Sequence, residues 1–206
     1  IQKNGPPSGL KGANVIGLHL EGPFLNPGKK GAHNPRYLQK PSPDLVQNWS
    51  RSNGVFMVTI APELDDGFAT IRRLRDQGVI VSAGHPLATY EQAWQAFQNG
   101  VRCGTHLFNA QPAIGHRNPG LSIAILDDPD IYTGLIIDGI HLHPGMVKMA
   151  RTCKGDRRFI TVTDAISALG MPPGKYKLGD FEINVSDTTV TLPDGTLAGS
   201  NITQRQ

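Results

Sequence analysis

The chain has 206 residues, 38% hydrophobic and 18% charged, with 20 Lys and Arg against 17 Asp and Glu and a net charge of +3. This is a globular composition, long enough for one domain with a substantial core and too mildly basic for a nucleic-acid partner, since neither Arg72-Arg73-x-Arg75 nor Arg157-Arg158 alternates with aromatics. Two cysteines, Cys103 and Cys153, with no CxxC pair argue against a disulfide scaffold or zinc ribbon and for a reducing, cytoplasmic compartment.

Residues 1–13 read as a polar lead-in without a signal-like apolar region, and no apolar run approaches the roughly 18 residues of a membrane span. Without an initiator Met, the chain reads as an internal portion of a longer one. A first strand is predicted over Asn14–Leu20, stopping at Glu21 before the Gly22-Pro23 turn. A polar, Gly-rich, cationic loop follows, from Asn26 through Lys29 and Lys30 to Pro35. Ser42-Pro43-Asp44 predicts a helix start, with Leu45, Val46 and Trp49 on one face up to about Ser50. Val55–Ile60 is a continuous apolar run, as in a buried parallel strand, ended by Ala61-Pro62-Glu63.

Phe68, Ile71 and Leu74 predict a helix over Asp65–Gln77, with Gly78 as its stop. The strand Val79–Ser82 ends at Ala83-Gly84-His85. Thr89-x-x-Gln92 reads as a capping box for a helix to Asn99, with Ala93, Trp94 and Phe97 inward and Gly100 as the stop. Val101–Thr105 is a short strand ending at His106. A loop from Asn109 to Gly120 carries Arg117, and Leu121–Leu126 reads as a short covering helix. The strand Ile131–Ile137 ends at Asp138-Gly139-Ile140-His141, a helix covers Pro144–Thr152, and the strand Phe159–Thr163 ends at Asp164. Beyond it, Tyr176–Leu178, Phe181–Val185 and Thr188–Leu192 alternate between turns, as small antiparallel strands do, and Thr196–Asn201 is loop.

Alternating strands and helices imply a parallel sheet. Five of the six apolar strands end at a residue suited to ligation or acid–base work: Glu21, His85, His106, His141 and Asp164. In (β/α) barrels and open α/β sheets, functional groups sit at the C-terminal strand ends. One carboxylate and two imidazoles from Glu21, His85 and His106 form a common ligand set for catalytic Zn²⁺ or Fe²⁺, with a position left for water. Asp164 is suited to take a proton from the attacking water and pass it to a leaving amine, with capping of the next helix as the lesser alternative. His141 is suited to orient substrate or donate to an oxyanion. His19 is read as a packed strand histidine and His143 as a loop residue, while His116 is left open. Arg117 and His33, with Lys29 and Lys30, are loop cations suited to a phosphate, or simply solvated. No GxGxxG or Walker A pattern suggests a nucleotide.

Leu18-His19-Leu20-Glu21-Gly22-Pro23-Phe24, followed by Lys30-Gly31-Ala32-His33, resembles the N-acetylglucosamine-6-phosphate deacetylase family of the amidohydrolase superfamily. Ser82-Ala83-Gly84-His85, Thr105–Ala110, Arg117-x-Pro119-Gly120, Asp138–His141, Val162–Ala165 and Leu197–Ser200 match in the same order, from about Asn14 to Asn201. The resemblance implies a partial TIM-type (β/α)8 barrel, a single catalytic domain over 1–206 incomplete at both ends, with a small antiparallel β insertion near the C-terminus. It implies one or two divalent ions, Zn²⁺ ahead of Fe²⁺, on Glu21, His85 and His106, with Asp164 as general base and then acid. Substrate contacts are implied for Ala32, His33, Asn109, Ala110, His141, Leu197, Ala198 and Gly199. Arg117 matches a phosphate-binding Arg supplied to the neighbouring site of a homodimer. The implied reaction converts N-acetylglucosamine 6-phosphate to glucosamine 6-phosphate and acetate. Gln111 departs from the family's usual Met, and the family's first barrel strand and closing elements have no match in this chain. Another amidohydrolase acting on a different amide, and a non-catalytic phosphosugar-binding fragment, stand as alternatives.

Overall fold

A computed structural model of the protein describes residues 15–201; Asn14 and the lead-in over 1–13 lie outside them. Six parallel strands run in sequential order, β1 (Leu18–Glu21), β2 (Val55–Ile60), β3 (Ile80–Ala83), β4 (Val101–Gly104), β5 (Tyr132–Ile136) and β6 (Phe159–Val162). Helices α1 (Gly67–Asp76), α2 (Tyr90–Asn99), α3 (Gly120–Asp127) and α4 (Pro144–Lys154) fill the four crossovers from β2 to β6. Sequential order with helices in four of the five crossovers is barrel winding rather than the double winding of an open sheet.

The sheet is curled. β1 and β4 are separated by three strand spacings, roughly 14 Å in a flat sheet. Yet Glu21 at the end of β1 touches His106, just after β4, at 2.9 Å. Curling gives the strands two unlike faces. Val58, Ile60, Val81, Ala83 and Val101 are buried with Ile71, Leu74, Ala93, Ala96, Phe97, Leu121 and Ile125 of the helices in one core. The alternate residues Thr59, Ser82 and Thr105 turn the other way and bond to one another, Thr59 Oγ1 to Thr105 Oγ1 at 2.7 Å and Ser82 Oγ to Thr105 Oγ1 at 2.6 Å. His19 extends this row, its Nε2 lying 2.8 Å from Thr59 Oγ1. It is therefore a partnered strand histidine, but an exposed one.

After β6 the backbone reverses into a three-stranded antiparallel sheet of β7 (Gly174–Leu178), β8 (Phe181–Val185) and β9 (Val190–Thr191). Ile183, Val185, Val190 and Leu192 form its own small core, and Ala32 of the cationic loop packs on it.

Three expectations are corrected. The first strand starts four residues later than predicted: Gly17 has φ +150° and approaches β2 so closely that a Cβ would lie 2.8 Å from Phe56 Cβ, and the pairing register shifts at Leu18/His19. The predicted helix up to Ser50 is instead a succession of turns, with Trp49 N donating to Val46 O at 2.9 Å. The Gln77 side-chain amide takes the carbonyls of Val46 and Trp49 at 2.9 and 2.5 Å, so a side chain of α1's C-terminal flank supplies what helix N–H groups would. Trp94 is 49% exposed, because the inward stripe of α2 is Ala93, Ala96 and Phe97. The capping box of Thr89 and Gln92 is present in both directions.

Candidate metal centre and active-site cavity

The strand ends place unlike groups side by side. Glu21 closes β1, His85 stands two residues past β3, and His106 two residues past β4. Glu21 Oε1 lies 3.2 Å from His85 Nε2 and 2.9 Å from His106 Nε2, and the two imidazole nitrogens are 3.1 Å apart. His33 of the cationic loop reaches the second carboxylate oxygen at 3.4 Å. His85 and His106 hold left-handed backbone, at φ +53° and +29°, which turns each imidazole off its strand toward Glu21. Such conformations are costly for non-Gly residues and cluster at functional sites.

The tautomer of His85 follows from its partner. Its Nδ1 lies 2.6 Å from the Lys29 carbonyl oxygen, which can only accept, so Nδ1 carries the hydrogen. Neutral His85 then presents a bare Nε2 lone pair to the Glu21 carboxylate and to His106. Two acceptors, Glu21 Oε1 and His85 Nε2, thus face His106 Nε2 at contact distance, an arrangement satisfied by a hydrogen on His106 Nε2 or by a metal ion between the three atoms. The pKa shifts follow from the same contacts. Burial, the largest influence on Glu21, acts to raise its pKa, but the imidazoles of His106, His33 and His85 gathered around the carboxylate outweigh it and hold the carboxyl far below the usual range. Burial likewise acts to lower His106, and the hydrogen bond and charge of Glu21 reverse it, with Asp164 adding to the rise. Glu21, His85 and His106 each offer one ligand atom, all within 4.8 Å of one another, so the donor set fits a divalent cation. The His85 Nδ1–H bond to a backbone carbonyl is the outer support that metal-binding histidines use.

The cluster forms the floor of a cavity of about 850 Å³. Besides the three floor residues, Ala32, His33, Asn109, Ala110, His141, Asp164, Leu197, Ala198 and Gly199 line it. Arg117 does not; it is exposed, on the loop before α3. His141 is held by Asp138: Nδ1–H donates to Asp138 Oδ2 at 2.6 Å, while Oδ1 accepts from the backbone N–H groups of Ile140 and His141. That leaves His141 Nε2 as its free polar atom. Asp164 has φ +51° just past β6, and the loop after β9 braces it, Ser200 N donating to Asp164 O at 2.9 Å. His143 is the N-cap of α4, accepting from Gly145 N at 3.1 Å.

The sequence pattern also missed residues of the cavity wall. Tyr37, Asp180, Phe181, Asp194 and Thr196 line it. Asp180, in the turn between β7 and β8, accepts from Asn34 Nδ2 at 3.0 Å and from Tyr37 OH at 2.8 Å, joining the small sheet to the cationic loop over the cavity. Gly179-Asp180 is legible as a turn, but nothing in the sequence pairs it with a residue 146 positions away.

A model of the amidohydrolase family matches residues 10–172. The N-acetylglucosamine-6-phosphate deacetylase of Lysinibacillus sphaericus is 41% identical over 196 residues, spanning 94% of this chain and 51% of that protein. An N-acetylgalactosamine-6-phosphate deacetylase of Escherichia coli O157:H7 is 36% identical, over 98% of this chain and 52% of that protein. A mutant N-acetyl-D-glucosamine-6-phosphate deacetylase from Mycobacterium smegmatis, solved in complex with N-acetyl-D-glucosamine-6-phosphate, superposes with a TM-score of 0.86 at 37% identity, covering 91% of this chain and 50% of that one. The chain thus spans about half the length of the relatives it matches. Among the described residues no helix is long and apolar enough to cross a membrane.

Proposed function

The chain belongs to the amidohydrolase family, and from that premise we propose that it carries the active site of a metal-dependent deacetylase that hydrolyses the N-acetyl group of N-acetylglucosamine 6-phosphate. The observation that carries the proposal is the convergence of Glu21, His85 and His106 on the floor of a cavity whose wall also holds Asp164 and His141. Glu21, His85 and His106 would hold the ion, Zn²⁺ ahead of Fe²⁺. A divalent cation there supplies two things, a lowered pKa for water and polarisation of the acetamide carbonyl.

The chain's own residues do the rest. Asp164 accepts the proton of the attacking water and returns it to the departing amine nitrogen, so that acetate and glucosamine 6-phosphate leave. His141, with Nδ1–H committed to Asp138, faces the carbonyl oxygen through Nε2; protonated, it donates to the oxyanion as charge develops there. Asn109, Ala110, Ala32, His33 and the loop Leu197-Ala198-Gly199 surround the sugar. Lys29 and Lys30 make the same wall cationic. Arg117, exposed and outside its own chain's cavity, is free to reach the phosphate in a second subunit of a homodimer. The two free cysteines accord with a cytoplasmic protein, and residues 1–206 with one barrel domain that further strands complete.

The deciding experiment is metal analysis of the purified complete protein together with an acetate-release assay. The substrate panel comprises the 6-phosphates of N-acetylglucosamine and N-acetylgalactosamine and unphosphorylated N-acetylglucosamine, read by acetate, together with a cyclic ureide and a dipeptide, read by their ring-opened and amino-acid products. Acetate should come fastest from N-acetylglucosamine 6-phosphate, and Asp164→Asn should lose orders of magnitude in turnover while keeping its metal. Turnover of the ureide or dipeptide alone would overturn the substrate assignment; absence of both metal and turnover would overturn the enzyme reading.

A further inference from the structure

Glu63, in the Ala61-Pro62-Glu63 segment after β2, takes no part in the chemistry above, yet its carboxylate is committed on one side and stranded on the other. Oε1 accepts from Asn26 Nδ2 at 2.9 Å and from Leu87 N at 2.6 Å. Oε2 is buried with no hydrogen-bond partner. The two bonds made by Oε1 tie Asn26 and Leu87, from separate loops, to one carboxylate.

What they hold is the approach to His85 from both sides. Leu87 lies two residues beyond His85, on the same loop. Asn26 opens the cationic loop, and its backbone N–H donates to the His85 carbonyl at 3.2 Å. Asn26 Oδ1 accepts from Gly28 N at 2.9 Å and folds Pro27–Lys29 into a 3-10 turn. That turn delivers the Lys29 carbonyl to His85 Nδ1 at 2.6 Å. A continuous path therefore runs from Glu63 through Asn26 and the turn to the hydrogen bond that sets the His85 tautomer.

We propose that Glu63 is a positioning residue for the metal centre: by clamping Asn26 and Leu87 together, it aims the bare Nε2 of His85 at the ion. The proposal rests on the metal-site reading above. Outer supports of metal-binding histidines are typically worth about 10–100-fold in metal affinity, and Glu63 acts on His85 through the turn that presents such a support.

The test is Zn²⁺ affinity by chelator competition in the complete protein, for Glu63→Ala, Glu63→Gln and Asn26→Ala, with the unfolding midpoint of each metal-free protein measured alongside. Glu63→Ala should bind Zn²⁺ roughly 10–100-fold more weakly. Glu63→Gln keeps an acceptor at the Oε1 position and should recover most of the loss, which a purely electrostatic contribution of the carboxylate would not allow. Asn26→Ala cuts the same path further along and should resemble Glu63→Ala. Wild-type affinity in either alanine variant overturns the proposal, as does a Gln variant as weak as Ala. Should Glu63→Ala not fold, Asn26→Ala decides alone. A wild-type protein that binds no Zn²⁺ overturns the metal site itself, a result distinct from equal affinities across the series.

Discussion

Gly199→Ala asks whether the loop after β9 holds Asp164 in its working position. Gly199 has φ +73°, where a residue with a Cβ costs roughly 1–2 kcal/mol. The added Cβ would lie 2.7 Å from Ile166 Cγ2 and 2.8 Å from the Asp164 carbonyl oxygen. Relaxed contacts begin at about 3.5 Å, so each neighbour must retreat by roughly half an ångström or more. The Ile166 methyl can rotate away. The carbonyl cannot move alone, because it accepts from Ser200 N at 2.9 Å and lies beside the Ala165–Ser200 bridge. The backbone of residue 164 must shift, and its carboxylate shifts with it. Misplacement by about 1 Å at a reacting group costs up to about 100-fold, so we expect kcat to fall roughly 10- to 100-fold. Metal content should be unchanged, since none of Glu21, His85 and His106 touches the loop's new Cβ. Steady-state acetate release, metal analysis and urea unfolding measure the three quantities. A variant with the lowered stability but wild-type kcat would refute the reasoning, because the strain would then have been absorbed without moving Asp164.

Arg117→Ala should raise KM for the phosphorylated substrate far more than for unphosphorylated N-acetylglucosamine; equal effects would remove the phosphate role, and sedimentation of the same protein tests for the dimer it requires. Lys154, only 6% exposed, sends its ammonium to the Ile125 carbonyl at 2.9 Å and to the Asp128 carbonyl, where α3 ends. Lys154→Met should leave those acceptors buried and cost about 1–3 kcal/mol by urea unfolding, with metal affinity unaltered. Burial, the largest influence on Asp138, acts to raise its pKa, but the N–H donors of His141 and Ile140 and the His141 ring hold it below the usual carboxylate value of 3.8. A lowered acid stabilises the fold above its unfolded pKa and loses that contribution as pH falls through the folded one. Wild type should therefore lose stability below pH 3.8 more steeply than Asp138→Asn, and parallel acid limbs would contradict the assignment.

The parallel sheet was legible because its central strands are short apolar runs bounded by turn residues, and their spacing leaves room for one helix each. Val55–Ile60 matches β2 to the residue, and Thr89 and Gln92 announce α2 through local capping chemistry. The strand-end groups were legible for the same reason: an acid or imidazole closing an apolar run stands out. Errors arose where a distant group overrides local preference. The turns before Ser50 are set by the Gln77 amide, about 30 residues away, and the start of β1 by the contact of Gly17 with Phe56. The roof of the cavity was invisible for a related reason, since Asp180 acquires its partners Asn34 and Tyr37 only when the two sheets pack. Glu63 reads as a strand terminator until the loops it joins are seen together.

The left-handed backbone at His85, His106 and Asp164 inverts the usual rule for preparing an inert version of this protein. Alanine, the customary deletion, would keep the conformational penalty and discard the interactions that justify it. Glycine enters that region without strain and removes more of the side chain besides. At His85 or His106 it would empty a slot shaped for a five-membered ring, so free imidazole, added from solution, becomes a natural candidate to refill the position and restore what the deletion took away.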